Sequence, residues 1–181
     1  MNYCSHCGSA HLTQKIPTGD TFPRFVCEDC HTIHYQNPKI IAGCLPIWED
    51  KILLCKRAIE PRYGLWTLPA GFMESNETVE QAAMRETWEE AKAKIDQLSL
   101  YAVISLPRIS QVYMMFRTCL QDLTFAPGNE SLDVHLFTQD EIPWDDLAFP
   151  VIRWTLTYYF QDRVTDQFPV HVSEITPFLS K

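Results

Sequence analysis

The sequence predicts an α+β domain built on a mixed sheet and preceded by a small metal-stabilised ribbon. Three observations predict it. Apolar runs of strand length, bounded by Pro, Gly, Asn and Asp, recur on both sides of one acidic segment with a helical period. Two Cys-x2-Cys pairs stand at the N-terminus, the second ending at Cys30. With 181 residues, 46% apolar and 21% charged, the chain is long enough for one full core and a small appendage.

The ribbon comes first, over residues 1–35. Cys4-Ser-His-Cys7 and Cys27-Glu-Asp-Cys30 are separated by 19 residues, a spacing that suits a tetrahedral structural zinc site. Disulfides compete for these cysteines but belong to an oxidising compartment that nothing else in the sequence suggests. A redox motif comes singly beside a βαβ pattern. With four thiolates available, His6, His31 and His34 are read as non-ligands. Short strands are expected at 14–17 and 24–26, in a segment too small to fold without its metal. Cys44, Cys55 and Cys119 lie in apolar strand-like runs and are expected to be buried small hydrophobes.

Tyr35-Gln-Asn-Pro38 reads as a connecting turn. Residues 39–48 and 52–57 look like strands with Glu49-Asp50-Lys51 turning between them, and Pro46 marks an edge, a bulge or a strand end. Leu68-Pro69-Ala70-Gly71-Phe72 is a turn signal leading into a helix over 78–91. Asn76 offers an N-cap, and Thr78 with Gln81 a capping box. The strand pattern repeats at 98–106 and 112–120, followed by a Pro127-Gly128-Asn129 loop and a further strand at 133–137. Asp140 and Glu141 cap a short helical stretch toward Leu147, and 151–160 carries a second apolar helical pattern.

The helix over 78–91 carries the chemistry. At about 100° per residue, Val79, Ala82, Ala83, Thr87 and Ala91 share the side a helix turns to the core. Glu86 and Glu90 fall inside that arc and Glu89 on its edge, whereas Glu80, Gln81 and Lys92 lie at or beyond its margins. Carboxylates converging on an inward face repel one another and lose hydration unless a cation neutralises them. Mg²⁺ joins a few carboxylates to substrate phosphates. A solvated acidic stripe is the plainer alternative, and the angular placement counts against it. Arg85 precedes Glu89 by four residues and can hold its carboxylate in one rotamer.

This stretch resembles the Nudix box: Gly, five residues, Glu, seven residues, Arg-Glu, an aliphatic, any residue, Glu-Glu, any residue, Gly, an aliphatic. Gly71, Glu77, Arg85, Glu86, Thr87, Glu89, Glu90 and Ala93 stand at its positions. Lys92 stands where the family has Gly, so the helix exit is expected to differ. The ribbon, Tyr35-Gln-Asn-Pro-Lys39, Leu54-Cys-Lys-Arg57, Gly64-Leu-Trp-Thr-Leu-Pro-Ala-Gly71 and Phe125-Ala-Pro-Gly-Asn-Glu-Ser-Leu132 are similar to the zinc-ribbon Nudix group. That group includes bacterial ADP-ribose pyrophosphatase-like proteins and the plant plastid FAD pyrophosphohydrolase. The resemblance implies an α/β/α sandwich with a mixed sheet over residues 36–181, and homodimerisation. It implies that Glu86, Glu89 and Glu90, with the Ala70 carbonyl, hold Mg²⁺ or Mn²⁺, while Glu77 is structural or supports the ligands.

The general base is left between Glu130, in the loop beyond the box, and Glu89 acting on a metal-bound water. An exposed loop carboxylate is the plain reading of Glu130. Arg85 completes the catalytic set through its hold on Glu89. Lys56 and Arg57 end a strand and are candidates for phosphate oxygens, or are solvated strand-end cations. Trp66 is placed either to stack on a ring or to pack. Gln111 and Phe149 are weaker substrate candidates, and Arg108 reads as an exposed loop cation.

A net charge of −8 weighs against nucleic-acid and anionic-membrane partners. No run approaches the roughly 20 apolar residues of a membrane span. The N-terminus lacks a signal-peptide layout, so a cytoplasmic setting is the default expectation. The expected activity is hydrolysis of a nucleoside diphosphate linked to another group, with FAD or ADP-ribose as substrate and AMP released. NADH pyrophosphatases also join a four-Cys zinc site to a Nudix domain, but their Ser-Gln-Pro-Trp-Pro-Phe-Pro motif is replaced here by Ser105-Leu-Pro-Arg-Ile-Ser110-Gln111. The other class is a zinc-ribbon module for nucleic acid or protein beside a silent Nudix domain. The intact acidic trio weighs against it.

Overall fold

The computed structural model describes residues 1–176. The chain divides into two compact units, Met1–Pro38 and Lys39 onward. In the first, β1 (Leu12–Lys15), β2 (Arg24–Cys27) and β3 (Ile33–His34) form an antiparallel sheet in the order β1-β2-β3. The first strand begins two residues before the expected segment. Two-residue β3 is too short for any periodic signal.

The second unit contains β4 (Lys39–Trp48), β5 (Lys51–Arg57), β6 (Trp66–Thr67), β7 (Ala70–Phe72), α1 (Val79–Ala91), β8 (Ile95–Leu106), β9 (Gln111–Leu120), β10 (Ser131–Phe137), α2 (Pro150–Thr165) and β11 (His171–Glu174). Its sheet runs β10-β5-β4-β9-β8-β11, with β6 on β5 and β7 on β4. It is mixed: β4 with β9 and β8 with β11 are parallel, and the other pairs are antiparallel.

Alternate residues of each central strand serve different cores, as the two-residue period of a strand requires. Ile41, Leu45, Ile52, Leu54, Tyr113 and Met115 pack with Val151, Ile152, Leu156 and Phe160 of α2. Ala42, Cys44, Leu53, Cys55 and Phe116 pack with Ala82, Ala83 and Ala91 of α1. The result is a helix on each face of one sheet, the α/β/α layering implied by the resemblance. The small alanines let α1 lie close to the strands.

The β4–β5 ladder is confined to Ile47–Ile52 and Trp48–Lys51; beyond it β6 and β7 wedge the two strands apart. Pro46 stands where that ladder stops, which is how an interior strand accommodates a residue without an N–H. Cys119 departs from expectation: Cys44 and Cys55 are buried, whereas Cys119 points outward between buried Thr118 and Leu120. The stretch expected to be one short helix is two 3-10 turns, Gln139–Glu141 and Trp144–Asp146, separated by Pro143. Among the described residues, no helix is long and apolar enough to cross a membrane.

Thr78, not Asn76, caps α1. Its hydroxyl accepts from Gln81 N–H, and the Gln81 side chain accepts from Thr78 N–H. Asn76 instead takes a left-handed turn conformation at φ 70°. The exit keeps its form despite the missing glycine: Lys92 adopts the left-handed cap at φ 50° and donates its N–H to Trp88 O. A side chain there carries a cost of about 1 kcal/mol. Lys92→Gly is therefore expected to raise unfolding stability by about that amount. Urea melts of the two chains check it, and an unchanged or lower midpoint would show that the cap carries no such strain.

Candidate active site

A cleft of about 910 Å³ opens in the second unit, lined by two unlike sets of side chains. The acidic set is Glu86, Glu89 and Glu90 from α1, Glu130 from the loop before β10, and Glu74 from the turn before α1. The other set is largely apolar, including Ile41, Leu106, Tyr113 and Phe149.

The acids lie at different depths, as their helical angles require. Glu90 is only 7% exposed, and its Oε2 has no hydrogen-bond partner among the described residues. Burial first, and then the Glu86 charge, push its carboxyl up to about 8, against the pull of Arg57 and the Ala70 backbone. Glu86 is half-buried, and burial likewise raises its pKa while Arg85 opposes the shift. The Glu89 side chain is 54% exposed, at the solvent edge of the group.

Arg85 organises this edge. Its Nε and Nη2 donate to the two oxygens of Glu77 at 3.0 and 2.8 Å, and Nη1 donates to Glu86 at 2.7 Å and Glu89 at 2.9 Å. Nη2 also donates to Phe72 O at 3.1 Å. Every guanidinium nitrogen is therefore engaged, and Lys could not replace this planar fork. Glu77 is held at about 2 by Arg85 and by the Glu74 N–H. One guanidinium faces Glu77, Glu86 and Glu89 while Glu90 and Glu130 stand beside them, so the cluster calls for further positive charge.

The oxygen-only donor set and the orphaned Glu90 Oε2 fit a hard divalent cation. Ala70 lines the same cleft. Glu86 and Glu89 are turned onto Arg85, so an incoming cation competes with Nη1 for them. Gly71 makes room: a Cβ there would fall on the Glu86 carboxylate. Without the cation, folding stability is expected to fall as pH rises from about 4.5 to about 8. Across that window the folded chain keeps a Glu90 proton that the unfolded chain has released, so each rise in pH favours unfolding. Urea melts in magnesium-free buffer, with Glu90→Gln as the reference, measure it. An equal profile in both chains would contradict the burial argument.

Arg57, Gln111 and Phe149 also line the cleft. Arg57 Nε donates to Pro61 O at 3.1 Å, and its guanidinium lies 5.1 Å from the Phe149 ring centroid. Its terminal nitrogens have no side-chain or backbone acceptor among the described residues, which leaves them for an anion. Lys56 and Trp66 are not among the cleft-lining residues. They are antiparallel partners on the sheet face opposite Arg57, where Trp66 packs edge-to-face on Phe137 at 4.9 Å and Lys56 Nζ lies 5.8 Å from the indole. Arg108 is exposed in the 3-10 turn Pro107–Ile109 and is not among the cleft-lining residues. Tyr113 and Asn129 line the cleft without having been singled out in the sequence: strand alternation places Tyr113 inward, and the loop position of Asn129 left no local signal.

The ribbon holds a second candidate site. The sulfurs of Cys4, Cys7, Cys27 and Cys30 all lie within 4.8 Å of one another, the only such grouping of ligating side chains among the described residues. Cys4–Cys30 and Cys7–Cys27 are each 3.6 Å apart, close to the S···S edge of about 3.8 Å of a zinc tetrathiolate. His34 is a non-ligand neighbour, with Nε2 3.3 Å from Cys4 Sγ and Nδ1 3.5 Å from Ser5 Oγ. It stands beside a sulfur and outside the grouping of four.

Both parts of the chain match known protein families. The NUDIX domain family matches residues 37–168, and the Nudix N-terminal zinc-ribbon family matches residues 2–36. The NAD-capped RNA hydrolase NudC of Photobacterium profundum is 30% identical over 136 residues, covering 73% of this chain and 47% of that protein. The chain thus spans about half the length of the curated relatives it matches. A solved NUDIX hydrolase from Nitrosomonas europaea is 57% identical with a TM-score of 0.92, covering 98% of this chain and 100% of that one. An ADP-ribose pyrophosphatase from Streptococcus suis shares the fold at 20% identity and a TM-score of 0.60, covering 77% of this chain and 100% of that one.

Proposed function

The chain belongs to the Nudix family, and on that premise we propose that it is a pyrophosphohydrolase dependent on Mg²⁺ or Mn²⁺. It opens the diphosphate of a nucleoside diphosphate joined to another group, with FAD or ADP-ribose as substrate and AMP as product. The observation that carries the reading is the buried, unpartnered Glu90 oxygen beside Glu86 and Glu89 in one cleft. Glu86, Glu89 and Glu90, with the Ala70 carbonyl, are the residues that would hold the cation.

When bound, such a cation neutralises phosphate oxygens and makes a coordinated water a stronger acid. Arg85 holds Glu86 and Glu89 in place through Nη1, while Glu77 fixes Arg85. Arg57 presents its free terminal nitrogens to a phosphoryl group. Glu130 stands ready to accept the proton of the attacking water, with Glu89 as the alternative base. Gln111 and Phe149 border the space left for the rest of the substrate. In the ribbon, the four cysteines hold a structural Zn²⁺, with residues 1–35 as ribbon and 36–181 as the hydrolase domain. A homodimer in a cytoplasmic setting completes the proposal.

A second reading has its own support. The curated relatives are named for NAD-capped RNA, which favours NADH or an RNA-borne NAD as substrate, against the expectation from net charge. The segment that replaces the NADH-type motif contributes Leu106, Ile109 and Gln111 to the cleft, so it bears directly on this choice. The deciding experiment compares kcat/KM for FAD, ADP-ribose, NADH and a short NAD-capped RNA in Mg²⁺. AMP release from the first two at the highest kcat/KM is expected. Preference for NADH or the capped RNA moves the chain to the second reading, and no turnover of any of them removes the hydrolase.

A further inference from the structure

The last carbonyls of an α-helix have no helical amide to meet them. In α1, two of them are met by the loop between β9 and β10. Ala126 N–H donates to Ala91 O and Gly128 N–H to Glu90 O, each at 2.9 Å. Ser131 N–H returns to Gly128 O at 3.1 Å, closing a turn around Asn129 and Glu130. Ala58 N–H, just past β5, holds Glu130 O at 2.8 Å. The loop is tied to the helix at one end and to the strand at the other.

Gly128 touches the helix too closely for any side chain. A Cβ there would overlap the Glu89 carbonyl oxygen and crowd Glu90 Cα. Its φ lies outside the left-handed region, so glycine is needed for space and not for backbone conformation. The next two residues, Asn129 and Glu130, face the cleft that Glu86, Glu89 and Glu90 line. Moving the loop off the helix therefore moves Glu130 away from the same turn that carries the other acids.

We infer that Gly128 is a positioning residue whose missing side chain fixes Glu130 against the acidic turn of α1. This rests on the proposal that Glu130 serves hydrolysis. Two amide-to-carbonyl bonds and one close backbone contact make the loop and the helix end a single rigid piece. A displacement of about 1 Å is enough to lower a rate by about a hundredfold.

The test is a mutant cycle on the full-length chain, using whichever of FAD, ADP-ribose or NADH the wild type hydrolyses fastest with Mg²⁺. Gly128→Ala is expected to lower kcat by about tenfold to a hundredfold with KM changed by less than about threefold. Glu130→Gln is expected to lower kcat by about a hundredfold or more. The double variant should be no slower than Glu130→Gln, because the added methyl acts only through Glu130. Additive losses, a normal kcat for Gly128→Ala, or a normal kcat for Glu130→Gln would each overturn the inference. Amide hydrogen exchange gives a readout independent of catalysis and of how well the variant folds. In the wild type the Gly128 amide should be protected about as well as the last amides of α1, and free exchange there overturns the inference. If the wild type hydrolyses none of the substrates, the functional reading fails, while the exchange pattern still decides whether the loop is fixed to the helix.

Discussion

Glu90→Gln is expected to lower kcat by about two to three orders of magnitude in saturating Mg²⁺ while leaving the fold intact. The amide keeps the size of the carboxyl but cannot carry the negative charge that a divalent cation requires at a site this deep. Near neutral pH in magnesium-free buffer, the wild-type group is largely protonated, because burial and Glu86 raise it to about 8. Replacing it with an amide that is neutral in both states should therefore raise the urea midpoint there, because only the wild-type unfolded chain gains by releasing the proton, and Mg²⁺ should protect the wild type but not the variant. Glu89→Gln is also expected to lose turnover, but from an exposed position and through the Arg85 contact it shares with Glu86. Near-normal turnover in both variants would refute the cation site. A strongly lowered midpoint for Glu90→Gln would instead reveal a structural role for the charge.

Loss of one ribbon cysteine should have an equally large effect of a different kind. Cys27 is fully buried at the junction of β2 and the second Cys pair. Cys27→Ser is expected to reduce zinc from one per chain to near none, and with it the ordered structure of β1, β2 and β3. Tetrathiolate zinc contributes about 10–16 kcal/mol in small zinc-folded units, far more than a three-stranded sheet with few buried side chains can supply alone. Elemental analysis of the full-length variant, with hydrogen exchange over residues 12–34, measures both effects. Retained zinc, or protected amides without it, would contradict the assignment.

Some of the site was legible because it is local. A helix converts sequence spacing into angle, so the division between inward Glu86 and Glu90 and edge-lying Glu89 was already implied by their positions relative to Ala82, Ala83 and Thr87. The Arg85–Glu89 contact follows from a four-residue interval in the same way. The capping box was visible at Thr78 and Gln81, but the preference for Asn76 as the cap failed, because turn geometry put Asn76 in a left-handed conformation.

Other features depend on strands meeting across long stretches of sequence. Whether Lys56 or Arg57 reaches the cleft is a matter of one residue in strand phase, and Trp66 follows Lys56 to the far face through its pairing. Cys119 looked like its two buried counterparts in composition, yet strand alternation turns it outward.

Composition, helical angle and cysteine spacing were enough to identify an α+β chain, its inward-facing acids and its four-thiolate cluster, because each depends on contacts within a few residues or on ligand chemistry. Folding alone established that Glu77 locks Arg85, that Gly71 makes room for Glu86, and that the 126–131 loop fastens onto the end of α1. Those relations arise where separate elements press together. No periodicity in a linear chain encodes the absence of a Cβ at a contact between two backbones, because the partner surface does not exist until the sheet and helices have assembled.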